Sequence, residues 1–65
     1  MELTYRDKTW EVQVPSGTTA REAVLEAGLR LGVDVHAWRD GKILRPDTQV
    51  GPDDVIKLTT ILHGG

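Results

Sequence analysis

The sequence predicts an α+β fold, in which one helix packs across one face of a mixed sheet of four to five strands. Three observations predict it. Two segments of alternating apolar and polar residues open the chain with only two residues between them, which indicates an antiparallel hairpin. A segment with apolar residues at helical spacing follows. Two or three further alternating segments, separated by turn residues, complete the pattern.

The opening hairpin is predicted from residues 1–6 and 9–14, with the turn at Asp7-Lys8. Both strands alternate apolar and polar residues, so one face of each is expected to meet the core. The residues predicted to lie on that face are Leu3, Tyr5, Trp10, Val12 and Val14.

A helix is predicted after the Pro-Ser-Gly segment that ends the second strand. Thr19 and Glu22 have the spacing of a capping box, so the helix is expected to begin directly after Thr19. It ends either at Gly28, with Leu29 folding back onto it, or at Gly32. The apolar stripe consists of Ala20, Ala23, Val24 and Ala27.

Three strands are predicted after the helix, over residues 33–39, 42–44 and 55–61. Asp40-Gly41 is a favoured hairpin turn between the first two, and turn-forming residues precede the last. The pattern by itself does not determine which strands pair at the centre of the sheet. The residues predicted to face the core from these strands are Val33, Val35, Ala37, Ile56 and Leu58.

Composition excludes several classes of protein. A chain of 65 residues allows one domain with a thin core, which favours a role performed on the surface of another protein. The absence of cysteine excludes disulfides, zinc-thiolate sites and a cysteine nucleophile. A net charge of -2 without clustered basic residues argues against direct binding of nucleic acid. The chain has neither the pattern of a signal peptide nor an apolar run of about 18 residues, so a cytoplasmic location without membrane contact is expected.

The pair Gly64-Gly65 is the most informative feature of the sequence. Glycine has no Cβ, so two in succession form a thin, flexible segment that can deliver a terminal carboxylate through a narrow channel. Two small residues are also typical of an inert, frayed chain end. The sequence thus predicts a folded domain over residues 1–61 and a flexible tail over residues 62–65.

Taken together, these features resemble the ubiquitin-like sulfur carrier family, which has the β-grasp fold. The resemblance covers the whole chain and rests on the opening hairpin and on four later segments. The family includes the carriers of thiamine biosynthesis, the small subunit of molybdopterin synthase and the bacterial carriers for tRNA 2-thiolation. The Val-x-Ala-x-Arg third strand and the length are most similar to the last group. The four segments are residues 19–25, 35–41, 53–58 and 61–65.

The resemblance implies a carrier that is a co-substrate and not itself an enzyme. An adenylyltransferase related to ubiquitin activators would use ATP to adenylate the Gly65 carboxylate. A sulfurtransferase or cysteine desulfurase would then supply the sulfur of a thiocarboxylate, which a downstream synthase accepts for tRNA 2-thiouridine or 2-thiothymidine formation. No bound cofactor and no metal is expected, since His36 and His63 have no carboxylate at ligand spacing. The resemblance also implies that the first and last strands run parallel at the centre of the sheet.

Partner contacts are predicted at Ile61, Leu62 and His63, beside the reactive Gly64-Gly65 pair. Ile61 is out of phase with the core-facing residues of the last strand, so it is expected either on the sheet face opposite the helix, as a partner contact, or packed locally. That face is expected to be exposed and to carry apolar residues that the core does not need. Trp38 shares this face, where it is either a partner contact or a half-buried packing residue.

Three other functions fit the same residues. The sulfur could serve thiamine or molybdopterin synthesis instead. The activated carboxylate could be joined to lysines of target proteins, as in a ubiquitin-like modifier. The chain could also be a β-grasp binding module with an inert tail.

Overall fold

The structure, a computed structural model, describes residues 1–60. Over this range the chain forms a five-stranded mixed sheet and one helix, which confirms the predicted α+β class. Within residues 1–60, no helix is long and apolar enough to span a membrane. The elements are β1 (Glu2–Tyr5), β2 (Lys8–Glu11), α1 (Ala20–Glu26), β3 (Val35–Arg39), β4 (Lys42–Leu44) and β5 (Val55–Thr60).

The strands lie in the order β2-β1-β5-β3-β4. β1 and β5 are parallel, with Leu3 opposite Ile56, and the other neighbours are antiparallel. The expectation that the first and last strands run parallel at the centre of the sheet is therefore confirmed. β5 is hydrogen-bonded on both sides, whereas β2 and β4 form the two edges.

The two hairpin turns differ in how well the sequence predicts them. Asp40 and Gly41 have φ values of 55° and 77°, the positive values that a type I′ turn requires. The first turn was predicted one residue too late. Tyr5 pairs with Lys8, so the turn consists of Arg6 and Asp7, and Arg6 adopts a φ of 58°.

Both ends of α1 follow the local sequence. Glu22 donates its backbone N–H to the Thr19 hydroxyl at 3.3 Å, and its carboxylate accepts the Thr19 N–H at 3.0 Å. At the other end Gly28 has a φ of 79° and donates to the Leu25 carbonyl, while Leu29 donates to the Val24 carbonyl. This is a Schellman motif, so the predicted end at Gly28 is confirmed and the longer helix is wrong.

The core lies between α1 and the inner face of the sheet. Val33, which was predicted to face this core, is 86% exposed. Gly32 and Val35 donate their N–H groups to each other's carbonyls, which forces the chain to turn at residues 33–34 before β3 begins. Tyr5, Trp10 and Val14 pack against the core but are only partly buried. The buried residues are Met1, Leu3, Val12, Ala20, Ala23, Val24, Ala37, Val50, Ile56 and Leu58.

Asp54 organises the turn that leads into β5. Its carboxylate accepts the Gly51 N–H at 2.8 Å and the Arg39 guanidinium at 3.0 Å. The Gly51 N–H, followed by the Arg39 cation, lowers the pKa of Asp54 below its ordinary value. At the start of α1, the Thr19 backbone N–H lowers the pKa of Glu22 in the same way.

These two carboxylates predict a loss of stability in acid. Unfolded Asp and Glu bind protons with pKa values of about 3.9 and 4.3. Because the folded pKa values are lower, the unfolded state binds protons first as the pH falls. The contribution of these two carboxylates to the free energy of unfolding should therefore be constant above about pH 5.5 and decrease from about pH 4.5 downward. Urea unfolding at several pH values measures this, and Asp54→Asn should flatten the profile. Parallel profiles for the variant and the parent would contradict the assignment to Asp54.

Candidate functional site

Within residues 1–60, the sheet face opposite α1 carries three apolar side chains that are not part of the core. Ile43 is 53% exposed and Val55 is 59% exposed, while Trp38 is half-buried. We call Trp38, Ile43 and Val55 the apolar patch. The prediction that this face carries apolar residues which the core does not need is confirmed.

The strand register brings the patch together. Trp38 lies opposite Ile43 on one side and opposite Lys57 on the other. Val55 is two residues before Lys57 and therefore shares its face of the sheet. Trp38, Val55 and Lys57, with the Asp40-Gly41 turn, line one shallow, open concavity of about 430 Å³. The patch is thus a single surface with one lysine inside it.

Trp38 is held in place by a hydrogen bond across the sheet. Its indole N–H donates to the Thr59 hydroxyl at 2.8 Å. The bond satisfies the polar end of the ring and leaves part of the apolar ring accessible on the sheet surface. Tryptophan is enriched among the residues that dominate binding energy at protein interfaces. A fixed, partly exposed ring is suited to that role because little conformational entropy remains to be lost.

The end of β5 is anchored on both sides. Thr60 pairs with Val35 of β3. Its hydroxyl lies 2.8 Å from the Tyr5 hydroxyl of β1, and this hydrogen bond lowers the pKa of Tyr5. The Arg6 guanidinium lies 5.4 Å from the centre of the Tyr5 ring. Because β1 and β5 are parallel, their C-terminal ends lie at the same end of the sheet, and this cluster sits at that end.

The site residues predicted from the sequence lie outside the described residues. They are Ile61, Leu62, His63, Gly64 and Gly65, and they remain predictions. His36 is on the same face as Trp38, with its Nε2 3.2 Å from the Val33 carbonyl oxygen. Ile43 and Val55 were not singled out in the sequence analysis. The alternation of the last strand could have identified Val55, because it places Val55 on the face opposite to that of the buried Ile56.

Within residues 1–60, no group of three or more His, Cys, Asp or Glu side chains could hold a metal ion. Comparisons of the chain with protein-family models, with curated proteins and with solved structures gave no match. The functional assignment therefore depends on the fold, on the geometry of the exposed sheet face and on the sequence features of the tail.

Proposed function

We propose that this chain is a ubiquitin-like β-grasp sulfur carrier, whose Gly65 carboxylate is activated by an adenylating enzyme and converted to a thiocarboxylate. The observation that supports the proposal most is the position of β5. This strand, which leads to Gly64-Gly65, is central, parallel to β1 and anchored at Thr60. It also contributes Val55 to the apolar patch. A reactive terminus and a docking surface would then be joined through one rigid strand.

The chemistry proposed for Gly65 has three steps, which the partner enzymes carry out. A carboxylate oxygen attacks the α-phosphorus of ATP, and pyrophosphate leaves. A partner persulfide then attacks the carbonyl carbon of the acyl-adenylate, and AMP leaves. A second partner thiol cleaves the resulting disulfide, which releases the thiocarboxylate and leaves the partner oxidised to a disulfide. The carrier contributes the positioned carboxylate and a recognition surface, and we place it in the cytoplasm, acting in tRNA 2-thiolation.

The proposed docking surface for the adenylating enzyme is the apolar patch. A complementary partner surface would be apolar opposite Trp38 and Val55, with a carboxylate opposite Lys57. Such a surface has the composition of an interface core, and its charged contact would fix the orientation of the two proteins.

Val55→Asp should weaken binding to the activating enzyme by tenfold or more, because a carboxylate would be desolvated in the interface. The variant should fold, since Val55 is 59% exposed. Val33→Asp is the matched control, because Val33 is 86% exposed and lies outside the sheet. Titration calorimetry measures both affinities. Parental affinity in the Val55 variant would exclude the patch from the interface.

Intact-mass measurement on the protein from its native cells tests the proposed function directly. A mass increase equal to the difference between a sulfur and an oxygen atom marks the thiocarboxylate. Larger conjugates that disappear when Gly65 is removed would mark a ubiquitin-like modifier instead. An unmodified protein that forms no conjugate under sulfur-demanding growth would favour a binding module with an inert tail.

A further inference from the structure

A second concavity lies on the helix side of the sheet, at the β4 edge. Its volume is about 350 Å³. The apolar part is formed by Leu31, Val35 and Leu44, which pack against the core but remain partly exposed. Arg21 and Arg45 also line it, together with Gly32, His36, Ala37, Ile43 and Pro46. We call this concavity the edge groove.

The charge of the edge groove is opposite to that of the whole chain. The chain has a net charge of -2, yet no carboxylate is among the described residues that line the groove. Among residues 1–60, no acidic side chain forms a salt bridge with Arg21. Arg45 is 4.0 Å from Asp47, with both side chains largely exposed, so the pair is weak. Both guanidinium groups are therefore available to an anionic partner.

The groove adjoins an unpaired strand edge. Among the strands formed by residues 1–60, β4 has β3 as its only neighbour in the sheet. Arg39 and Lys42 flank the two-residue turn and form a hydrogen-bonded pair. Hydrogen-bonded and non-hydrogen-bonded pairs alternate in an antiparallel ladder, so the next pair, Trp38 and Ile43, is not hydrogen-bonded. The N–H and C=O groups of Ile43 therefore point away from β3. An edge of this kind is a template for an additional strand.

We propose that the edge groove binds an extended acidic peptide segment of a partner protein. The segment would add to β4 through the backbone of Ile43 and insert one apolar side chain between Leu31 and Leu44. Its carboxylates would meet Arg21 and Arg45. Strand addition gives affinity through the main chain and specificity through alternate side chains. The site shares Ile43 with the apolar patch, since Ile43 also lines the edge groove and contributes its backbone. It uses neither Gly65 nor Trp38 nor Val55, so it does not depend on the proposed carrier function.

The test is to titrate the full-length, ¹⁵N-labelled chain with the capped peptide Asp-Asp-Val-Thr-Leu-Thr-Val-Asp-Asp. Binding is monitored by the NMR chemical shifts of the backbone amides. We expect the amides of Ile43, Leu44 and Val35 to shift together, with a Kd of about 1 mM or below. Replacing both threonines of the peptide with proline removes main-chain donors and should weaken binding by tenfold or more.

Charge reversal in the protein provides the matched control. The double variant Arg21→Glu, Arg45→Glu should weaken binding by tenfold or more, whereas Lys8→Glu on the opposite sheet edge should bind like the parent. Any of three results would overturn the proposal. These are no shifts at about 2 mM peptide, shifts confined to β2 or to Trp38 and Val55, or equal binding of a peptide with lysine in place of every aspartate.

Discussion

Deleting Gly65 should abolish ATP–pyrophosphate exchange with the cognate activating enzyme and leave the melting temperature unchanged. The deletion moves the terminal carboxylate back by about 3.5 Å at full extension. Misplacement by about 1 Å already lowers the rate of a positioned reaction by about a hundredfold. The buried core described by the structure ends at Leu58, so the deletion removes none of it.

Gly64→Val should fail in the same assay for a different reason. The carboxylate stays in place, but a β-branched side chain stiffens the segment and widens it where a narrow channel is expected. Gly32→Val is the matched control, because a Cβ at Gly32 meets no heavy atom within 4 Å. This control should fold and support exchange at the parental rate.

Exchange at the parental rate without Gly65 would show that the terminal carboxylate is not the working group. The carrier proposal would then be wrong. Failure of the Gly64 variant alone, with normal exchange after the Gly65 deletion, would have the same consequence. The edge-groove proposal would stand after either result, since the described residues that carry it, such as Arg21, Leu44 and Arg45, lie within residues 1–60.

Leu58→Ala should lower the free energy of unfolding by about 2–5 kcal/mol, the range for truncation of a buried leucine. Leu58 is 3% exposed and lies on the central strand, opposite Tyr5 on one side and Ala37 on the other. Domains of this size have a total stability of about 3–5 kcal/mol. The variant is therefore expected to be largely unfolded at 37 °C.

Val55→Ala is the control for the same strand. Because Val55 is 59% exposed, its truncation should change the stability by about 0.5 kcal/mol or less. Urea unfolding of both variants at neutral pH measures the difference. Equal midpoints for the two would contradict the assignment of Leu58 to the core face.

Local signals in the sequence predicted the start of the helix and the second hairpin, and they gave Gly28 as one of two possible helix ends. The capping box joins residues three apart, and the turns at Gly28 and Gly41 need the positive φ that glycine tolerates. Each of these interactions joins residues that are close together in the sequence, so one short segment contains all of the interacting residues. Val33 shows the limit of the same reasoning: its alternation with Val35 is that of a strand, but the mutual hydrogen bonds of Gly32 and Val35 turn the chain instead.

The sequence alone determined the order of elements, the core face of each central strand and the Gly64-Gly65 pair. The pattern of residues did not decide which strands are central and which are edges, since β1 and β5 pair residues that are 53 positions apart (Glu2 with Val55). The resemblance implied the central pairing of the first and last strands, and the tertiary structure shows it together with both edges. The apolar patch depends on the tertiary structure, because Val55 lies on the sheet face that α1 does not cover and is exposed there. The edge groove depends on it too: Arg21 and Arg45 become neighbours because the Pro46 carbonyl accepts the Arg21 N–H. No period or motif encodes such a contact between a helix and a distant loop.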